Sequence, residues 1–271
     1  MNTIVATSRG KVVREFFEKN KGGICGEFYF YPGAKYARLA TEANKIVSCH
    51  SQNSKPLTIY FMGGLPDITV MKRDKRDNYE EVIMEGNCKN IIQNIMSEIT
   101  HIHHNLSQSN TKSVFCPIIP SNIEKWNSKR LAQGKTRRLK FSNNYINMQK
   151  ELHTTIIDLN REIIAFNKHN SLATPFITIK TIISLPPNPK KSTPRYKFSF
   201  VNFPDGVHFN VFLAKIVANQ LIKAINRNSP AFTQKPHILP TPILLPPTIP
   251  TIKYESEDED ERVNHSRHWR P

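Results

Sequence analysis

Leu57-Thr58-Ile59-Tyr60-Phe61-Met62 is a six-residue apolar run with almost no polar face, and Gly63-Gly64 ends it at once. So short a run does not suit a helix, and one that is apolar on both sides needs cover on both sides, which predicts a central strand of a parallel sheet. Similar short runs recur. Thr3 to Thr7, Phe28 to Tyr31, Val114 to Ile119 and Phe176 to Ile183 each read as strands that close on Gly, Pro or Ser. Between them lie stretches with helical spacing: Val12 to Phe17, Ala34 to Val47, Cys88 to Leu106 and Asn144 to Asn167, with Asn210 to Asn226 as a closing helix. Strands alternating with helices predict an α/β fold, a parallel sheet with helices on both faces.

The chain of 271 residues suits one α/β domain of about 200 to 250 residues with extra segments. The domain is expected over residues 1–228. Residues 229–271 begin proline-rich, pass through the acidic run Glu255 to Glu261 and end basic, a composition that predicts a disordered tail. Its Leu239 to Pro250 part also has the character of a polyproline docking segment. Pro186 to Pro194 reads as a surface loop, and Tyr196 to Phe200 as a short strand or an extended approach to the loop at Asp205.

Without that tail the charge balance is sharper: residues 1–228 hold 33 Lys and Arg against 16 Asp and Glu, a net of +17. Much of the excess falls between Glu124 and Lys140, where Lys125, Lys129, Arg130, Lys135, Arg137, Arg138 and Lys140 face a single acid, Glu124. This segment reads as an exposed basic loop. It is either a solubility feature or a patch for phosphate backbones and other polyanions.

Cys25, Cys49, Cys88 and Cys116 lack paired metal-ligand spacing, and their small number points to a reducing intracellular setting, cytoplasmic or nuclear. The apolar start at Met1 to Val5 is too short for a secretory signal, and no window approaches the roughly 18 apolar residues of a membrane span. His101-Ile102-His103-His104 is better explained by a helix C-terminus, which favours cations, than by a metal. Nothing in the sequence fixes an oligomeric state.

The chemistry concentrates at two distant places. In Asp205-Gly206-Val207-His208 a carboxylate stands three residues before an imidazole, with a glycine between them to turn the backbone. A carboxylate on one ring nitrogen fixes the tautomer and leaves the other nitrogen free to take a proton from a hydroxyl. Ser8, at the turn between the first strand and the first helix, is the candidate hydroxyl. As a serine at that place it also reads as a plain N-cap, and the Asp-His pair as a plain turn.

The order of these features resembles the SGNH or GDSL-type hydrolases over nearly all of residues 3–228. Ala6-Thr7-Ser8 is similar to that family's first block, Gly33 to its second, Gly64-Leu65-Pro66-Asp67 to its third and Asp205 to His208 to its last. Trp126-Asn127, Leu159-Asn160 and Asn167 resemble features of SGNH-type domains in some animal retroelement and virus-like proteins. The resemblance implies a flavodoxin-like three-layer α/β/α sandwich. It further implies a serine esterase acting on a small acyl ester without a cofactor or metal. Ser8 would be the nucleophile, His208 the base and Asp205 its orienting partner, with the amides of Ser8 and Gly33, and the Gly64 element, around the oxyanion.

Two positions depart from the family pattern. Ala6-Thr7 replaces the usual Gly-Asp, and Pro66 replaces the usual Asn, whose side-chain amide would donate to the oxyanion. Loss of one such donor costs about 10²- to 10³-fold in turnover. The alternative expectation is therefore a catalytically inactive SGNH-fold module that binds nucleic acid or another polyanion through Lys129, Arg130, Lys135, Arg137, Arg138 and Lys140.

Overall fold

A computed structural model of the chain describes residues 1–24, 26–50, 56–84, 86–175 and 200–229. Four strands form one parallel sheet: β1 (Asn2–Ala6), β2 (Gly26–Phe30), β3 (Leu57–Met62) and a fourth at Thr111–Phe115, in the order β2-β1-β3 and then that fourth strand. Ala6 lies level with Phe30 on one side and Met62 on the other, so the carboxyl ends of the central strands share one rim. All six residues of β3 are buried, as its two-sided apolar character requires.

Alternation along the strands sorts their side chains into two cores. Ile4, Ala6, Tyr60, Met62 and Val114 face α1 (Gly10–Asn20) and the C-terminal helix Val211–Asn228. Val5, Ile59, Phe61 and Phe115 face α2 (Tyr36–His50) and two later helices, Cys88–Ser107 and Tyr145–His169. Helices on both faces of a parallel sheet give the expected three layers. Gly10 permits α1 to sit close, because a Cβ there would come within 2.5 Å of the Ala6 Cβ.

Between β3 and the next long helix the chain inserts elements that sequence periodicity does not reveal. A four-residue helix α3 (Leu65–Ile68) leads into an antiparallel hairpin of β4 (Thr69–Asp74) and β5 (Tyr79–Met84). The pattern is masked by Glu81, a fully buried residue of β5 where alternation calls for an apolar one. Its carboxylate accepts hydrogen bonds from the Tyr79 hydroxyl at 2.8 Å, the Lys140 amide at 2.9 Å and the Phe141 amide at 3.3 Å, and also from the Tyr145 hydroxyl. A buried charge needs such a full set of donors.

In chain order the remaining elements are α4 (Cys88–Ser107), β6 (Thr111–Phe115), α5 (Ile123–Ala132), the short 3-10 turn Ser142–Asn144, α6 (Tyr145–His169) and α7 (Val211–Asn228). The strand expected over Val114 to Ile119 therefore lies earlier and stops at Phe115. Cys116 N–H still donates to Phe61 O at 2.9 Å, and beyond it the Asn160 side chain takes both polar groups of Ile118, accepting from its N–H at 2.6 Å and donating to its C=O at 2.8 Å. Asn167 does the same for Phe115 at 3.2 and 2.7 Å, and Asn127 for Val82 at 2.9 and 2.7 Å. Each asparagine pairs with one N–H and one C=O of the main chain, as a strand neighbour would. The strand expected at Phe176 to Ile183, the Pro186 to Pro194 loop, most of Tyr196 to Phe200 and all but Ser229 of the expected tail lie outside the described residues.

Candidate active site

β1 hands the chain to α1 at the centre of the sheet rim. The order β2-β1-β3 means the chain steps from β1 to one side and then to the other, which opens a crevice beside the end of β1. Thr7 N–H still donates to Met62 O at 3.0 Å, and Gly10 N–H donates to Thr7 O at 2.9 Å, so Ser8 projects from a tight turn at that crevice. Helix α1 has Arg9 as its N-cap with no side-chain capping bond. The Ser8 hydroxyl is thus not used for capping; it stands 3.2 Å from His208 Nε2.

His208 arrives from the far end of the chain on a loop that its own hydrogen bonds hold. Asn202 O accepts from Asn210 N–H at 2.8 Å, and Asn210 Oδ1 caps α7 by accepting from Leu213 N–H at 2.9 Å. Gly206 has φ of +84°, and a Cβ there would meet Asn122 O at 2.4 Å and Trp126 N at 3.0 Å. Only glycine fits that approach, and the contact is secured by Asn122 N–H donating to Gly206 O at 2.7 Å.

The Asp205 carboxylate accepts three hydrogen bonds: from Val207 N–H at 3.0 Å, His208 N–H at 2.7 Å and His208 Nδ1 at 2.7 Å. Burial alone would raise this carboxyl group, but the imidazole and the two amides outweigh it and hold the group well below the usual carboxylate range. Asp205 is therefore an anion at any pH near neutral. With Nδ1–H donating to it, a neutral His208 presents Nε2 as an acceptor toward the Ser8 hydroxyl.

Arg9 braces this arrangement from behind. Its guanidinium, 6% exposed, donates to the carbonyls of Ile119 and Pro120, the latter at 3.3 Å, and lies 5.3 Å from the Phe209 ring centre and 5.9 Å from that of Phe203. Burial lowers its pKa to about 9 against the opposing field of Asp205, so it remains a cation at neutral pH. One side chain thus ties the chain after β6 to both aromatic residues that flank the Asp205–His208 loop.

Ser8 and His208 open on a cleft of about 490 Å³. Gly33 lines it with φ of +68°, and no atom lies near its absent Cβ, so the glycine is there for the backbone conformation. Among the described residues neither the Ser8 nor the Gly33 amide is used in a backbone hydrogen bond, and both remain available to a ligand. Gly64 is placed differently: it does not line the cleft, and a Cβ there would meet Ile118 at 2.4 Å and Tyr36 at 3.0 Å, which gives this glycine a packing reason. Pro66 does line the cleft, in the first turn of α3. Its neighbour Asp67 turns inward and accepts from Tyr36 N–H at 3.1 and 3.3 Å. Burial pushes the Asp67 carboxyl up to about 6, against the lowering effects of that hydrogen bond and of Lys35.

The hairpin supplies the opposite wall through Thr69, Val70, Met71, Arg73 and Val82, and α5 adds Trp126, whose ring centre is 5.5 Å from that of His208. Sequence reasoning missed this wall. The available signal was the polar, turn-forming run Asp74 to Asn78, where Asn78 takes a positive φ.

The segment read as an exposed basic loop is indeed exposed at every cation but Arg130, but it is not a loop throughout. Its first half is helix α5, capped by Asn122, whose Oδ1 accepts from Lys125 N–H at 2.8 Å. Arg130, with a side chain only 13% exposed, pairs with Glu80 at 2.5 Å, while Arg138 and Lys140 pair with Asp77 at 2.7 and 3.2 Å. Arg130 is drawn inward by Glu80, whereas Arg138 and Lys140 pair with Asp77 at the surface; neither pairing is visible until the hairpin is folded. Lys129, Lys135 and Arg137 belong to the same segment. The histidines of α4 have separate partners: Asn105 for His101, Ser113 for His103 and Gln108 for His104. No described helix is long and apolar enough to cross a membrane.

The parallel sheet between two helical layers forms a three-layer α/β/α sandwich, with a serine, an imidazole and a carboxylate in series at its switch point. Among solved structures the chain is similar to a GDSL-like lipase from Bacteroides thetaiotaomicron, with a TM-score of 0.50 and 13% identity over 83% of this chain and 87% of the other. It is equally similar to a Bacteroides fragilis protein provisionally assigned as an acylhydrolase, with a TM-score of 0.50 and 14% identity over 83% and 86% of the two chains. This chain has the SGNH/GDSL-type hydrolase fold. No protein-family model matches the sequence, and no curated protein matches it.

Proposed function

We propose that the protein is a serine hydrolase of the SGNH type that cleaves small acyl esters. The observation that carries this reading is the unbroken chain from Ser8 Oγ to His208 Nε2 at 3.2 Å and from His208 Nδ1 to Asp205 Oδ2 at 2.7 Å. His208 takes the Ser8 proton as Oγ bonds to the ester carbonyl carbon, and returns it to the leaving alkoxide as the ester C–O bond breaks. Water then adds to the acyl-enzyme with His208 again as base, which releases the acid and restores the serine. The free amides of Ser8 and Gly33 are the donors at hand for the oxyanion; Pro66 contributes no side-chain donor, so turnover is slow for this fold. A fluorophosphonate probe tests the reading: labelling of the wild type and not of Ser8→Ala is expected, and equal absence of labelling in both would remove it.

The other reading, a module that binds nucleic acid or another polyanion, rests on the net +17 of residues 1–228. Arg130 is held by Glu80, and Arg138 and Lys140 share the one carboxylate of Asp77, so it depends chiefly on Lys129, Lys135 and Arg137 with the charge left over at Arg138 and Lys140. Affinity for a nucleic-acid duplex that falls steeply with salt and with neutralisation of these cations supports it. Its absence at low salt rejects it.

A further inference from the structure

The cleft beside Ser8 has an apolar lining and a charge of one sign. Leu65, Val70, Met71, Val82, Ile123 and Trp126 make its apolar surface, and three cations, Arg9, Lys35 and Arg73, border it. Among the described residues that line it there is no aspartate or glutamate. The cations come from different walls: Arg9 from the floor beside Ser8, Lys35 from the turn between β2 and α2, and Arg73 from the hairpin.

Arg73 and Lys35 are available to a ligand. The partner of Arg73 is Glu80, at 3.0 Å, but the other oxygen of Glu80 is already held by the more buried Arg130 at 2.5 Å. One carboxylate between two guanidiniums leaves positive charge over, and the Arg73 side chain is 66% exposed. Lys35 is exposed at the opposite wall. An arginine in this position offers a planar pair of donors to a carboxylate or phosphate, and because Arg73 and Lys35 are exposed the attraction is open to screening by salt.

We infer that this cleft selects esters that carry an anionic group, a carboxylate or phosphate, separated from the scissile carbonyl by a short apolar segment. The apolar segment lies along the hairpin and α5, and the anion reaches Arg73 or Lys35. This inference rests on the serine-hydrolase reading for the reaction but on the cleft alone for recognition, so the two are testable apart.

The first test compares turnover of isosteric pairs. For an anion on the acyl side, 4-nitrophenyl glutarate is set against 4-nitrophenyl glutaramate, its neutral primary amide; for one on the alcohol side, the butyryl ester of 4-hydroxybenzoate is set against that of 4-hydroxybenzamide. In one pair or the other, kcat/KM is expected to favour the anion by about tenfold at low salt, and the pair identifies the side. The preference should shrink toward unity near 0.5 M salt and in the double variant Lys35→Gln/Arg73→Gln. Equal kcat/KM within both pairs, or a preference unmoved by salt and by the double variant, overturns the inference and leaves the esterase reading standing.

The second test needs no turnover. Binding of monoethyl glutarate and ethyl butyrate to Ser8→Ala is followed by quenching of Trp126, with Trp269→Phe as background. Tighter binding of the anion, lost in the double variant, supports the inference even where a fluorophosphonate fails to label Ser8. Equal affinities, or no binding of the anion, overturn it.

Discussion

His208 Nε2 lies 3.2 Å from Ser8 Oγ across 200 residues of sequence. The two are brought together by separate devices: a strand end at a sheet switch point for the serine, and a glycine-turned loop docked on Asn122 for the imidazole. As His208 is fixed through Asp205, changing the carboxylate should matter nearly as much as changing the serine. Asp205→Asn is expected to lower kcat by about 10⁴-fold, with Ser8→Ala at least as severe and the double variant no worse than Ser8→Ala. Ester hydrolysis by purified variants checks this; additive losses would show that the three groups do not act as a unit.

Pro66 lines the cleft, at the position that resembles the asparagine of the SGNH third block. It is the second residue of a helix of only one turn, so an asparagine there loses little local structure. Pro66→Asn is expected to raise kcat by up to about 10²-fold with a smaller change in KM. Steady-state kinetics decide it, and an unchanged or reduced kcat argues that the oxyanion lies elsewhere.

Gly206→Ala attacks position rather than chemistry. The left-handed φ of +84° and the 2.4 Å approach to Asn122 O together force the loop outward. A displacement near 1 Å at His208 costs about 10²-fold in kcat, while the fold as a whole should lose only about 1 to 2 kcal/mol. Comparing kcat with the urea midpoint separates the two effects, and an active Ala variant would mean the loop is not held by this contact.

The three backbone-clamping asparagines make a stability prediction. Asn127 and Asn167 are fully buried, and each satisfies one N–H and one C=O of a buried or half-buried neighbour. Replacement by Ala leaves both groups unpaired, at about 2 to 4 kcal/mol per site. Urea unfolding measures the loss. Values below about 1 kcal/mol would mean that the strand ends are satisfied in another way.

Asp67 should make stability depend on pH in the opposite sense to Asp205. Its folded pKa of about 6, raised by burial above the model-peptide value of 3.8, means the native state holds its proton more tightly than the unfolded chain. The contribution is fully present below about pH 4 and is lost as pH rises through about 6, amounting to at most about 3 kcal/mol. Asp67→Asn should flatten the stability profile over that window and equal or exceed the wild type at pH 7. For Asp205, whose folded pKa is lowered, stability is present above about pH 4 and falls only in acid. Unfolding free energies across pH 4 to 7 provide the measurement.

The alternation of strands and helices is legible in the sequence because each strand of the sheet is short, apolar and sharply ended. Leu57 to Met62 coincides with β3 to the residue, and α1, α2, α4, α6 and α7 fall within a few residues of their expected bounds. The hairpin escaped because a buried glutamate breaks its alternation, and α5 because seven cations between Glu124 and Lys140 look like a solvated loop. In both cases the polar residues are satisfied by partners distant in sequence: Glu81 by Lys140, Phe141 and Tyr145, and Arg130 by Glu80.

Local sequence determined the strand and helix order, the turn at Ser8 and the carboxylate-imidazole pair at Asp205 and His208, since each depends on residues within one turn or strand. Tertiary structure alone decided which face the hairpin closes, how much of the basic segment is left for a ligand, and that Gly33 lines the cleft while Gly64 packs behind it. Those outcomes depend on pairing across tens to hundreds of residues. Periodicity records only which side chains must be buried, whereas pairing is set by the neighbours the folded backbone brings to them.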